Sequence, residues 1–350
     1  MTASAFDHPY LSGLLGDEEI AAFFTAEADI RAMLIFEAAL AKAEASHGII
    51  PDAAAIEIAA ACNMFRPDML ALRQAVGTDG VVVPELVRQL RKAVGGQAAE
   101  NVHLGATSQD VIDTSLMLRL KDIGMILSGR LSTLLGLFDE LRRRFGSNRL
   151  MGHTRMQAAI PITVADRLSA WSSPLSDYRD RLEQMHKTGF PLQFGGAAGT
   201  LDKLGEKAGA VRAALAENLG LSYAPQWQSQ RAVIADIAHI LSLITGSLGK
   251  FGQDIALLAQ AGDEIELSGG GGSSAMAHKQ NPVAAETLVS LARFNAVQLS
   301  GIHQSMVHEQ ERSGTAWTLE WMILPQMVMT CSASTRLAVA LAGQIERLGI

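Results

Sequence analysis

The chain has 350 residues, 48% of them hydrophobic, 19% charged and 5% aromatic, which provides for a large buried core and excludes disorder as the main state. Its 29 Lys and Arg stand against 36 Asp and Glu, a formal charge of -7 with no basic tract, which argues against a nucleic-acid partner. Two cysteines without a CxxC pair, a first stretch MTASAFDHPY that is no cationic, apolar leader, and no uninterrupted apolar run of about 18 residues point to a soluble, reduced, cytoplasmic protein that spans no membrane.

Phe36, Leu40 and the Ala-rich run EAALAKAEA predict a first helix that stops at Gly48, ahead of Pro51. Near residues 95–105 the stretch VGGQAAENVHLGATSQD breaks the periodicity. The expected division is an N-terminal helical domain, 1–100, and a central long-helix domain, 101–350. Leu127, Leu131, Leu134, Phe138, Leu141 and Phe145 follow a 4-3-4-3-4 spacing, one apolar stripe on a long amphipathic helix. From Gln230 to Gly262 apolar residues occupy several faces, the pattern of a helix surrounded by others, and Pro282 to Met306 reads as a fourth long helix. Alternating β patterns with Asn-Gly or Asp-Gly turns are absent, so the expected class is all-α. Helices of about 30 residues exceed the globular mean of about 11–12, which points to an elongated bundle. Their abundant alanine permits close helix approach and suits a multi-subunit bundle.

Three loops carry residues fit for chemistry. In His103–Thr114, HLGATSQDVIDT, the residues Thr107, Ser108 and Gln109 precede a helical start, where free N–H groups and hydroxyls can hold an anion at the positive dipole end. Plain N-capping by Thr107 or Ser108, with Asp110 in the first turn, is the commoner meaning of an isolated TSQD. In Met151–Pro161, MGHTRMQAAIP, Thr154, Arg155 and Gln157 precede a proline expected to start another helical segment. There a guanidinium beside an amide can grip a carboxylate or sulfonate, or Arg155 is an ordinary solvated charge. In Ser268–Pro282, SGGGGSSAMAHKQNP, four glycines that are costly to order precede Ser273, Ser274, Lys279 and Asn281. Those side chains can supply a proton carrier, anion donors and a fixed cation, and the competing reading is a flexible linker. The nine histidines form no HExxH, and no GxGxxG opens a βαβ unit, so neither a metal nor an organic cofactor is expected. His103, beside TSQD, and His278 are the histidines that merit testing.

Together the three loops resemble the signature regions of the fumarase/aspartase superfamily, which includes class II fumarase and the argininosuccinate and adenylosuccinate lyases. SSAMAHKQNP resembles the superfamily's GSSxMPxKxNP loop, TSQD its TS-containing first region and TRMQAAIP its T-H-x-Q-x-A-x-P second region. Through VHLGATSQDVIDT, LQFGGAAGTLDKLG, GGSSAMAHKQNPV and HEQERSGTAWTLEW, the chain is most similar to the bacterial 3-carboxy-cis,cis-muconate cycloisomerases.

The resemblance implies an intramolecular lyase that closes 3-carboxy-cis,cis-muconate, or its 3-sulfo analogue, to the muconolactone in aromatic-compound degradation. It implies Ser273 as proton carrier and Lys279 as the main electrostatic contributor. Thr107, Ser108, Gln157 and Asn281 become carboxylate binders, and Ser274 a substrate contact. Arg155 stands where the hydrolytic and deaminating lyases have a His, a place for a guanidinium that suits a sulfonate. Arg312 is a weaker anion-binding candidate, for which a helix-surface i,i+3 pair with Glu309 is the preferred reading. Further departures are Ala277 for the usual Pro and Gln280 for the usual Arg, and the end at Ile350 leads to the expectation that the family's small C-terminal helical domain is absent. The implied partners are a small polyanionic substrate and a homotetramer that shares its sites between subunits. The rivals are a fumarate-releasing lyase of the same superfamily and a non-catalytic helical assembly protein.

Overall fold

The apolar stripe from Leu127 to Phe145 lies on a single helix of 38 residues, Ser108–Phe145, with Leu127, Leu131, Leu134, Phe138 and Leu141 all buried. At 1.5 Å per residue this rod is about 57 Å long, and the rest of the molecule is arranged along it. The computed structural model describes residues 4–272 and 281–350. Two four-residue turns, α1 (Ser12–Leu15) and α2 (Glu18–Ala21), open the chain. They are followed by α3 (Ala26–Ser46), α4 (Asp52–Met64), α5 (Met69–Asp79) and α6 (Val83–Val94). The long rod is α7, after which strands β1 (Arg149–Thr154) and β2 (Gln157–Thr163) lead into α8 (Val164–Thr188). Then come α9 (Ala208–Leu219), α10 (Ala232–Ala261), β3 (Ile265–Leu267), α11 (Val283–Gln304), α12 (Gly314–Gly343) and β4 (Ile345–Leu348).

Five long helices, α7, α8, α10, α11 and α12, make the bundle. Their directions follow from their ends. Arg231, just before α10, pairs with Asp113 in the second turn of α7, and Trp317 in the first turn of α12 donates to the same carboxylate. At the far end Glu264, just past α10, accepts from the N–H of Met151 in β1, while Gln344, just past α12, accepts from the N–H of Ser268. So α7, α10 and α12 start at one end, and α8 and α11 run back. Helix α3 lies against α7 and α9 and carries α4 with it.

The sequence expectations for α3, α7, α10 and α11 agree with these elements. Helix α10 is apolar enough by length and composition to cross a bilayer, with a mean hydropathy of 1.6 over an 18-residue stretch. Ile234, Ile237, Ile240, Leu241, Ile244, Leu248, Phe251 and Ile255 are spent instead on the other helices of the bundle, and all are buried. The class is all-α, with one local correction. Met151–Pro161 belongs to an antiparallel β hairpin, with Thr154 opposite Gln157, and Pro161 sits in β2 opposite Met151. Helix α8 starts at Val164, capped by Thr163, whose hydroxyl accepts from the N–H of Asp166.

Small residues set the spacing of α10 and α11. A Cβ on Gly252 would stand 2.5 Å from the Ala285 carbonyl oxygen and 2.8 Å from Leu288 Cβ. In an open helix Gly→Ala stabilises by about 1 kcal/mol, but overpacking a tight contact costs about 1–3 kcal/mol. Gly252→Ala is therefore expected to lower the apparent melting temperature despite alanine's better helix propensity. A thermal scan in which the variant melts at or above the wild-type temperature would show that the two helices are free to part.

Candidate active site

Thr107 takes an extended conformation and caps α7, with its N–H donated to the Asp110 carboxylate at 3.0 Å. The capping reading of TSQD is thus correct, and it is one part of a larger arrangement. Asp110 is fully buried and accepts three further hydrogen bonds, from Gln193 Nε2 at 2.9 Å and from the N–H groups of Gly195 and Gly196 at 2.8 and 2.9 Å. Burial pushes its carboxyl up from the ordinary 3.8 to about 6, against the pull of these four donors. The folded form takes up a proton before the unfolded chain does, so Asp110 weakens the fold as pH rises from about 4 to about 6 and changes nothing above that. Gly196 has a φ of +68°, and a Cβ there would meet the Gly105 carbonyl oxygen at 2.8 Å. Only glycine lets the Leu192–Gly199 loop lie this close to the HLGATSQD segment.

One turn further along α7, Asp113 accepts both outer nitrogens of Arg231, at 2.5 and 3.1 Å, and the indole N–H of Trp317 at 3.0 Å. The other edge of the same guanidinium holds Glu320 through Nε at 2.9 Å and an outer nitrogen at 2.6 Å, and its carbon stacks 4.7 Å from the Trp227 ring centre. All three charged groups are buried. Gln109, also buried, donates to Asp113 and to the Gln228 carbonyl, and its amide oxygen accepts from Arg312 Nε at 3.0 Å. Arg312 donates as well to the Ala197 carbonyl at 3.2 Å.

That contact corrects the preferred reading of Arg312. Residues 307–313 are a loop between α11 and α12, not a helix surface, and Arg312 meets Glu309 only through its backbone N–H. The structure therefore gathers Thr107, Ser108 and Arg312 at one end of the bundle. It places Arg155 and Gln157 at the other, exposed at and beside the hairpin turn, where Arg155 and Met156 both have positive φ, +46° and +65°. Asn281 stands at this second end too, paired with Gly271 by reciprocal backbone hydrogen bonds of 2.8 and 2.9 Å. Ser273, Ser274, His278 and Lys279 lie outside the described residues. A cleft of about 700 Å³ beside the hairpin is lined by His153, Arg155, Arg167, Lys250, Asp254 and Glu264 among others.

A sequence profile described as lyase matches residues 7–296. The chain belongs to this lyase family, within the fumarase/aspartase superfamily. Among its members, a 3-carboxy-cis,cis-muconate cycloisomerase of Pseudomonas aeruginosa is 40% identical over 333 residues, covering 93% of this chain and 72% of that protein. The crystal structure of the 3-carboxy-cis,cis-muconate lactonizing enzyme from Pseudomonas putida matches with a TM-score of 0.89 at 37% identity, over 97% of this chain and 77% of that one. An N-acetyl-S-(2-succino)cysteine lyase of Enterococcus italicus is 32% identical over 339 residues, 95% of this chain and 74% of the relative.

The residues that sequence reasoning missed are the buried ones, Asp113, Gln193, Arg231 and Glu320. Gln193 and Glu320 lie inside LQFGGAAGTLDKLG and HEQERSGTAWTLEW, the segments that carry the family resemblance. Arg231 had no such signal. Removing one partner of a buried ion pair costs about 3–5 kcal/mol. Arg231→Met should therefore melt well below the wild type in scanning calorimetry, and Arg231→Met with Glu320→Gln should recover part of the loss. Equal melting of Arg231→Met and wild type would mean that the triad does not organise this end of the bundle.

Proposed function

We propose that the chain is a cycloisomerase that lactonises 3-carboxy-cis,cis-muconate, and the observation that carries this reading is 40% identity over 93% of the chain to a relative of that name. In the lactonising direction one substrate carboxylate oxygen bonds to an alkene carbon, and the electron pair moves into the conjugated carboxylate as an aci-carboxylate. A proton then adds to the carbon α to that group. Nothing leaves, so the product is an isomer of the substrate.

Such a reaction needs donors aimed at the carboxylate where charge develops. Thr107 and Ser108 offer hydroxyls at the start of α7, Gln157 and Asn281 offer amides, and Lys279 supplies the fixed charge. Ser273 matches the superfamily's acid/base residue and carries the proton, while Ser274 holds the substrate. Arg312, joined to Gln109 next to Ser108, is the anion-binding guanidinium of the first end. A lyase that protonates a leaving group needs an acid where Arg155 stands, which favours lactonisation over release of fumarate. The exposed guanidinium of Arg155 also suits a 3-sulfo substituent, which stays anionic at cellular pH.

Within one chain Thr107–Ser108 and Arg155–Gln157 are separated by a helix about 57 Å long, so a site that uses both draws on more than one chain. The assembly we propose is a homotetramer with shared sites. The buried free thiols Cys62 and Cys331 agree with a reducing compartment, the cytoplasm.

Purified enzyme should consume 3-carboxy-cis,cis-muconate with loss of the diene absorbance and without release of fumarate. Ser273→Ala should lose at least about 10²-fold in kcat with the fold retained. Near-normal turnover by a folded variant would reject the assignment. Arg155→Met should alter the ratio of 3-carboxy to 3-sulfo turnover, and an unchanged ratio would take Arg155 out of substrate choice. Sedimentation should give four times the chain mass of 37.3 kDa, and a monomer that still turns over substrate would overturn the shared site.

A further inference from the structure

His103, four residues before the cap of α7, has a backbone φ of +62°, a conformation that an L side chain adopts at a cost of about 1–3 kcal/mol. Its ring explains where it is held. Nδ1 lies 2.6 Å from Glu37 Oε1 on α3, with the two side chains 13% and 1% exposed. Nε2 has no partner among the described residues.

Glu37 depends on this histidine. Its second oxygen is buried without a partner, and His103 is its single hydrogen-bond partner among the described residues. Among the described residues His103 is the one cation that forms an ion pair with Glu37, and Arg31 on the same helix forms none with it. Glu44, two turns along α3, is pushed up to about 9 by burial and then by the charge of Glu37, so it is neutral at pH 7. Cys62 on α4 is pushed up to about 12 by burial and then by Glu37, and is neutral as well. Arg91 on α6 is turned to the Val102 carbonyl at 3.0 Å and opposes a charge on His103, while Asp110 on α7 favours it. Burial alone would lower the His103 pKa. Glu37 outweighs it by charge and by hydrogen bond, and the balance is a raised value. A buried carboxylate without a cation costs several kcal/mol, so the ion pair is the form that the fold favours.

We propose that Glu37 is a positioning residue that holds His103 as an imidazolium beside the N-terminus of α7, where Nε2 binds a carboxylate of the polyanionic substrate. This role rests on the cycloisomerase reading for the substrate's identity. The Glu37–His103 coupling itself does not. The raised pKa means that the charge is present at low pH and lost as pH rises through the folded value.

The test uses the whole enzyme with 13C-labelled histidine, the His103 resonance being assigned by its loss in His103→Gln. In Glu37→Gln, which keeps the shape of the pair, the His103 titration midpoint should fall by about one pH unit or more. The alkaline limb of kcat/KM for 3-carboxy-cis,cis-muconate should fall with it, through KM rather than kcat. Tricarballylate, a saturated tricarboxylate, should shift the wild-type His103 resonance and fail to do so in Glu37→Gln above the variant's midpoint. An unmoved midpoint overturns the positioning role, and a moved midpoint with an unmoved KM profile and unmoved tricarballylate response overturns the substrate contact. Should the wild type show no muconate turnover, the cycloisomerase reading fails by itself while the titration and the tricarballylate shift still decide this one. If Glu37→Gln does not fold, His103→Gln stands in: it should raise KM about 10- to 100-fold, the value of one charge-assisted hydrogen bond, with kcat little changed. An unchanged KM would overturn the contact.

Discussion

Two carboxylates one helical turn apart hold one end of this molecule together. Asp110 collects the N–H groups of Gly195 and Gly196, and Asp113 collects Arg231 and, through the indole, Trp317. These partners come from 85 to 204 positions away in the chain. A buried carboxylate is costly unless every lone pair finds a donor, so each acid dictates where a distant segment must lie. The dipole of α7 adds to this, since its positive end favours negative charge in the first turn. The result is a fixed polar plug from which the apolar faces of α7, α10 and α12 run on.

Fixing three helices at their starts has a consequence for the opposite end. Rods of 38, 30 and 30 residues that begin together also carry their far ends, the hairpin and Asn281, well away from Thr107 and Ser108. Among the described residues no loop of one chain closes that gap. The long helices leave large apolar side chains outside, Met125 on α7 at 43% exposure, Val297 on α11 at 73% and Met322 on α12 at 63%. Under the tetramer proposed above, those faces become packing surfaces, and the same packing brings first-region and second-region residues of different chains together.

Helix α7 was legible because period 3.6 survives in its stripe from Leu127 to Phe145, and α10 because its apolar residues cover several faces of a helix enclosed by others. The hairpin was not, because alternation is visible only where one face of a strand is buried, and β2 from Gln157 to Pro161 is exposed on both. Its turn also lacks Asn-Gly. Arg155 and Met156 occupy the two left-handed positions instead, which sequence rules for such turns disfavour. Arg312 was misread for a related reason: the spacing from Glu309 fits a helix, but the helix stops at Gln304 and restarts at Gly314. The buried network was hidden because the links that join α7 to Gln193, Arg231 and Trp317 span 83 to 204 positions and follow no helical spacing. Only the family resemblance, which carried VHLGATSQDVIDT, LQFGGAAGTLDKLG and HEQERSGTAWTLEW as units, pointed toward it.

A chain of net charge -7 with two buried acids in the first turns of α7 is on its face a poor host for a trianion. The hydrogen bonds resolve this. Asp110 draws its four donors from Thr107, Gln193, Gly195 and Gly196, and Asp113 draws on Arg231, Trp317 and Gln109, so both carboxylates are satisfied from the protein's interior. The N–H groups of Ser108 and Gln109 have no partner among the described residues. They are helix-terminal donors of the kind that an anion completes, and the hydroxyls of Thr107 and Ser108 stand beside them. The acids face inward and fix the frame, and under the proposed function the donors left over at the tip of α7 are the ones offered to an incoming carboxylate.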